Sequence, residues 1–219
     1  MLGDPEDLYR VVSLLEEATE LAADDDPETL TFYINLAKGY LSCFHRLKNV
    51  ESLDKCTLVL ENAIHTAKGA ASRADQVFRL SDLAHSIVAH FLAITQSSES
   101  LDRVFVLYDD ILDLIPDEHP NKPSCLDKFA VLLATLFDQK SDQKHLDKSI
   151  STVEGAISLS QGPTSPTLLM FNRLGSSYLL RFEQFHDHND DLEKSITAFE
   201  RALETNNQKA DRQRFLNPS

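Results

Sequence analysis

The densest run of potential metal ligands in the chain is His186-Asp187-His188-Asn189-Asp190-Asp191, where Asp187, Asn189 and Asp191 take the alternate spacing that opens a calcium loop. Such a loop also needs glycine at its sixth position and glutamate at its twelfth, and Leu192 and Ala198 stand there instead. The run is therefore expected to be a solvated turn in which Asp190 or Asp191 caps the following helix. His85 and His90 lie five apart and not four, with no H-E-x-x-H pattern, so a groove or surface role fits them better than a metal. Cys43, Cys56 and Cys125 are odd in number and form no C-x-x-C; Cys43 and Cys56 fall on apolar registers, which points to packing. Asp24-Asp25-Asp26 and Asp109-Asp110 are expected as solvated helix ends or faces able to steer a basic partner. There is no G-x-S-x-G, P-loop or dinucleotide fingerprint. The expectation is a non-enzymatic chain with no catalytic residue, no cofactor and no metal site.

Charge excludes another class. With 21 Lys and Arg against 35 Asp and Glu the net charge is −14, which disfavours any partner held by phosphate neutralisation, so nucleic acid is not expected. Hydrophobic residues at 42% suffice for a buried core, while 6 Gly and 8 Pro leave little turn chemistry for an all-β fold. Residues 1–7 are acidic, without the basic and apolar parts of a signal, and no stretch is read as approaching the roughly 18 apolar residues of a membrane span. A cytoplasmic protein is expected, in keeping with unpaired thiols.

The elements follow from internal repetition. One pattern recurs at Leu8, Leu53, Leu101, Leu146 and Leu192, at intervals of 45, 48, 45 and 46 residues, with Asp or Glu directly after the last four leucines and Asp7 directly before the first. Seven residues on stand Leu15, Leu60, Tyr108, Val153 and Phe199, and ten residues on Ala18, Ala63, Ile111, Ala156 and Ala202. These offsets make one helical stripe. A second series lies between: Leu36-Ala37, Leu83-Ala84, Phe129-Ala130 and Leu174-Gly175, each followed by apolar or aromatic residues at plus four and plus eight. At plus eleven stand Leu47, Ile94, Lys140 and Phe185, so the third copy is the weakest. The spacing predicts nine helices, over 5–23, 28–48, 51–68, 72–96, 99–115, 121–139, 144–160, 165–185 and 190–206. Pro27, Pro116, Pro120, Pro123, Gly162, Pro163 and Pro166 are read as punctuation between them. The small residues of both series are expected where helices approach closely. Short connections make neighbours antiparallel, and pairs of this size must stack to cover their stripes. The expected fold is all-α, a right-handed α-solenoid forming one array over residues 1–219.

Leu174-Gly175-Ser176-Ser177-Tyr178, with Ser195, Phe199 and Ala202 in the next helix, resembles the tetratricopeptide (TPR) repeat. Leu36-Ala37 with Tyr40 is a looser copy, and Pro116 stands where that family often ends its second helix. The period of 45–48 is longer than the 34 residues of the family and also suits HEAT and armadillo repeats, but the offsets favour the TPR class. The long form, with Asn172-Arg173-Leu174-Gly175, Arg181-Phe182 and Asp191-Leu192-Glu193-Lys194-Ser195-Ile196, resembles the degenerate TPR arrays of fungal proteins that end in a caspase-like CHAT protease domain.

That resemblance implies a protein-interaction scaffold whose concave groove holds a peptide or helix of another protein. In the family, residues two before and two after the first residue of each second-series pattern face the groove. Here these are Ile34 and Lys38, Ser81 and His85, Asp127 and Val131, and Asn172 and Ser176. The family's Lys and Asn carboxylate clamp is not reproduced. The alternative is the sensor or regulatory arm of a larger fungal CHAT-type signalling protease. The last helix carries the stripe Leu192, Ile196, Phe199 and Leu203 with no full helix after it, and residues 210–217 read as the opening of another repeat. Self-association through this end, or a chain cut from a longer array, is the expectation.

Overall fold

The computed structural model describes residues 5–23, 26, 28–68, 74–94, 99–160, 167–185 and 188–216, with backbone alone at 167 and 208–216. Asp24, Asp25, Pro27, Gly162, Pro163, Pro166, His186, Asp187 and Asn217 lie outside the described residues. Among the described residues there are nine helices and no strand: α1 Pro5–Leu21, α2 Thr29–Leu47, α3 Glu51–Ala67, α4 Ala74–Ile94, α5 Glu99–Leu114, α6 Lys122–Lys140, α7 Gln143–Leu159, α8 Thr167–Gln184 and α9 Asp191–Leu216. The ends expected from periodicity agree within two residues, with one exception. Residues 210–216 continue α9 and do not open a new repeat. No glycine or proline interrupts the chain before Pro218, and Gln208, Lys209 and Ala210 favour helix. Pro123 is also not a linker residue: it is buried in the first turn of α6, where its missing amide donor leaves no bond unmade.

The chain forms two compact units, residues 1–119 and 120–219. In the first, α1 packs on α2, α2 on α3 and α4, and α3 and α4 both meet α5. In the second, α6 packs on α7, α7 on α8 and α8 on α9. In α3, α5 and α7 the expected stripes are buried, with Leu53, Leu60, Leu101, Tyr108, Ile111, Leu146 and Val153 fully covered, each contributing roughly 1.5–3 kcal/mol. The stripe of α1 is instead half-buried at Leu8, Leu15 and Ala18, and that of α9 is exposed at Leu192, Ile196 and Leu203. All three cysteines are buried and none is in a disulfide. Alone among the described residues, α4 is long and apolar enough to cross a membrane, which amends the expectation that no stretch approaches that length. Half of that window is buried among its neighbours, as in the core helix of a folded unit.

Polar contacts one repeat apart tie the pairs together within each unit. In the first, Gln76 Nε2 donates to Thr31 Oγ1 at 3.1 Å, Ser100 Oγ donates to Asp54 at 2.6 Å, and the Arg103 guanidinium pairs with Glu61. In the second, Arg173 pairs with Asp127, and Gln143 Nε2 and His188 Nε2 are 2.9 Å apart. The period in the sequence is thus the stacking period of the helices.

The small residues of the second series serve a further purpose. Ser149 Oγ donates to the Ala130 carbonyl and Ser195 Oγ to the Gly175 carbonyl, both at 2.8 Å, and Cys56 Sγ lies 3.3 Å from the Ala37 carbonyl. Each donor stands three residues after the first-series leucine. It reaches a neighbouring helix's backbone only because no larger side chain holds the helices apart. Gly175 is the extreme case: a Cβ there would meet the Phe199 ring at 2.9 Å. Two second-series helices end alike, with Lys48 (φ 55°) and Ser141 (φ 52°) in the left-handed region and their amides donating to the Phe44 and Phe137 carbonyls.

Candidate functional site

The second-series helices carry the eight residues expected to face a partner. In the first unit, Ile34 and Lys38 lie on α2 and Ser81 and His85 on the adjacent α4. Lys38 is exposed and His85 half-buried, its ring edge-on to Tyr108 at 6.3 Å. Ile34 (2% exposed) and Ser81 (0%) are covered, and Ser81 Oγ donates to the Phe78 carbonyl at 2.7 Å. In the second unit, Asp127 and Val131 lie on α6 and Asn172 and Ser176 on α8. Asp127 is half-buried against Arg173, whereas Val131, Asn172 and Ser176 are exposed. The reachable set is therefore Lys38 and His85 in one unit, and Val131, Asn172 and Ser176 in the other, with Asp127 already bound to a cation.

His90, expected in the groove or on the surface, is half-buried and has a partner that its spacing from His85 did not indicate. His45 and His90 bring their Nε2 atoms to 3.2 Å with rings 4.5 Å apart, beside Phe44, whose ring lies 6.0 Å from the Lys48 ammonium. Burial first, then the charges of His45 and Lys48, hold the His90 imidazole below its ordinary range. Their 45-residue separation, like that of Thr31 and Gln76, is the signal that could have found the pair. Among the described residues no three metal-ligating side chains converge.

Asp191 corrects the expectation of a solvated turn. It is 1% exposed and accepts two hydrogen bonds from Arg181, Nε at 2.6 Å and Nη2 at 2.9 Å, while Arg181 Nη1 donates to Asp147 at 2.6 Å. Burial pushes the Asp191 carboxyl up, and the Arg181 bonds and charge overcome it, so the net direction is downward. Asp190 remains exposed. Nearby, Tyr178 donates to Glu154 as Tyr40 does to Glu16, and both phenols are held above their usual range by burial and then by these acceptors. Burial likewise pushes the Cys43 and Cys56 thiols up, away from the reactive thiolate. Between α8 and α9 lies a cavity of about 420 Å³ lined by Phe171, Leu174, Tyr178, Lys194, Thr197 and Arg201, among others. The Lys194 ammonium sits 5.6 Å from the Tyr178 ring and the Arg201 guanidinium 5.7 Å from the Phe171 ring. Asp190 and Glu193 also line it, so the cavity joins an apolar wall to charges of both signs.

No protein-family model matches the chain, and no curated protein sequence matches it. Solved structures do. BtubC (BKLC) from P. vanneervenii is 17% identical with a TM-score of 0.52, covering 93% of this chain and 75% of its own. A Podosopora anserina protein with nearly identical TPR-like repeats is 15% identical with a TM-score of 0.49, over 87% of this chain and 86% of its own. At this identity the likeness to BtubC concerns the fold alone, and together with the helix pairs and their period it makes this chain an all-α helical-repeat protein.

Proposed function

We propose that the chain is a non-enzymatic interaction scaffold that binds a peptide or helix of another protein along its second-series helices. The observation that carries this reading is a division of labour on those helices. The Leu36, Leu83, Phe129 and Leu174 positions are buried, while Lys38, Val131, Asn172 and Ser176, two residues away, are exposed. Lys38 supplies a cation in an acidic protein and Asn172 an amide suited to a peptide backbone. The three buried thiols support a cytoplasmic location, which is part of the proposal.

The test is capture of partners from an extract of the source organism by the full chain, identified by mass spectrometry. A combined Lys38→Ala and Asn172→Ala variant is expected to lose most of that capture with its melting temperature nearly unchanged, since exposed substitutions usually cost within about 0.5 kcal/mol. Lys55→Ala with Lys148→Ala, on exposed positions of the first series, is the control. Equal loss in the control pair would transfer recognition to general electrostatics. The alternative, a regulatory arm of a fungal CHAT-type protease, draws on the long-repeat motif around Leu174-Gly175 and Asp191-Leu192. A native transcript that runs on into a domain bearing His and Cys would favour it.

A further inference from the structure

Within the second unit, α8 shows what a helix must offer to cover a first-series helix. Met170, Leu174 and Tyr178 share a core with Leu146, Ile150 and Val153 of α7. Two polar contacts flank that core: Tyr178 donates to Glu154, and Arg181 Nη1 donates to Asp147 at 2.6 Å. One repeat later α9 presents the same chemistry in the same register, with Leu192 and Ile196 for Leu146 and Ile150, and Glu193 and Glu200 for Asp147 and Glu154. The burial is reversed. Leu146 is 0% and Ile150 3% exposed, whereas Leu192 is 42%, Ile196 52% and Leu203 63% exposed, and both glutamates are exposed. The tyrosine contact is a repeated device and not an accident of one pair, because Tyr40 makes it to Glu16 in the first unit. The glutamate stands eight residues after the repeat leucine each time: Glu16, Glu154 and Glu200 after Leu8, Leu146 and Leu192.

We propose that this face of α9 is a docking site for an amphipathic helix of another protein with the pattern Leu-small-x-x-Tyr-x-x-Arg, its apolar stripe on Leu192, Ile196 and Leu203, its tyrosine on Glu200 and its arginine on Glu193. The pattern is that of Leu174-Gly175-Ser176-Ser177-Tyr178-Leu179-Leu180-Arg181 itself. Two exposed carboxylates beside an apolar stripe select a cationic, hydroxyl-bearing helix and repel an acidic one. The site is separate from the second-series face of the proposed function, so each can fail without the other.

The probe is a capped synthetic peptide of residues 167–185, labelled and titrated into the full chain by fluorescence anisotropy. Saturable binding is expected, weakened at least about tenfold by Glu193→Gln with Glu200→Gln in the protein and by Tyr178→Phe with Arg181→Gln in the peptide, as for loss of charge-assisted hydrogen bonds. Lys38→Ala with Asn172→Ala is expected to leave it unchanged. The protein substitutions avoid Asp147 and Glu154, so peptide that merely displaced the resident α8 would bind the glutamine variants as well as the parent chain, which would overturn the proposal. Absence of binding would overturn it too. So would a dimer in sedimentation that Ile196→Asp dissociates, since a second copy would then be the occupant.

Discussion

The α8–α9 pair of the second unit and the α4–α5 pair of the first occupy the same place in the repeat and hold it with different chemistry. In α8–α9 the carbonyl of the small residue, Gly175, accepts from Ser195, and Arg181 clamps the buried Asp191. In α4–α5 the corresponding small residue is Ala84, the serine position is the fully buried Val104, the tyrosine position is Ile87, and His90 stands where Arg181 does. What both keep is the small residue and the apolar stripe. Close approach of helices is therefore the invariant requirement of the repeat, and polar contacts are an option that the approach makes available.

The sharpest way to break this comparison is to remove a polar member where it carries charge. Arg181→Ala leaves the Asp191 carboxylate buried without its bidentate partner and is expected to destabilise the chain by about 3–5 kcal/mol, against about 1 kcal/mol or less for His90→Ala. Urea melts decide it, and equal losses would mean that the clamp is incidental. Next comes the shared requirement. Gly175→Leu and Ala84→Leu should both cost about 1–3 kcal/mol by overpacking, Gly175 more, since even a Cβ there meets Phe199. Ser176→Leu should stay within about 0.5 kcal/mol. A larger effect at Ser176 would contradict the helix register.

A smaller effect is expected from the optional bond: Ser195→Ala removes a buried donor and should cost about 1 kcal/mol. Val104→Thr, which offers a hydroxyl at the corresponding place in the first unit, should change stability by less than that, and a cost above about 2 kcal/mol would show that α5 sits too far from Ala84 to use it. The smallest effect concerns pH. His90 has its imidazole held below the ordinary 6.5, so as pH falls through that value the unfolded chain takes up the proton first and stability declines until the folded group titrates. His90→Gln should flatten this part of the stability–pH profile, and an unaltered slope would assign it to other groups.

Much of the architecture is legible in the chain because a repeat writes its period twice, once in the leucines and once in the alanines. The helix limits follow from that period wherever a proline or a polar run stops it. The end of α9 was illegible for the complementary reason: nothing between Asn207 and Asn217 stops a helix, and the resemblance of that tail to a repeat opening concerned composition only. For the candidate site the sequence placed Lys38, Val131, Asn172 and Ser176 at positions that are exposed, but spacing alone could not show that Ile34 and Ser81 are covered. Nor could it distinguish a solvated aspartate from Asp191, whose burial depends on an arginine ten residues earlier in another helix.

By itself, then, the sequence determined the helices, their two types and the stacking period, because helical periodicity and side-chain size are local properties that each repeat states anew. The tertiary structure decided which polar groups meet: Tyr178 with Glu154, Arg181 with Asp147 and Asp191, His45 with His90. Those meetings depend on how far one helix is carried over its neighbour. That distance is set by the sum of contacts across a whole interface, and no single residue encodes it.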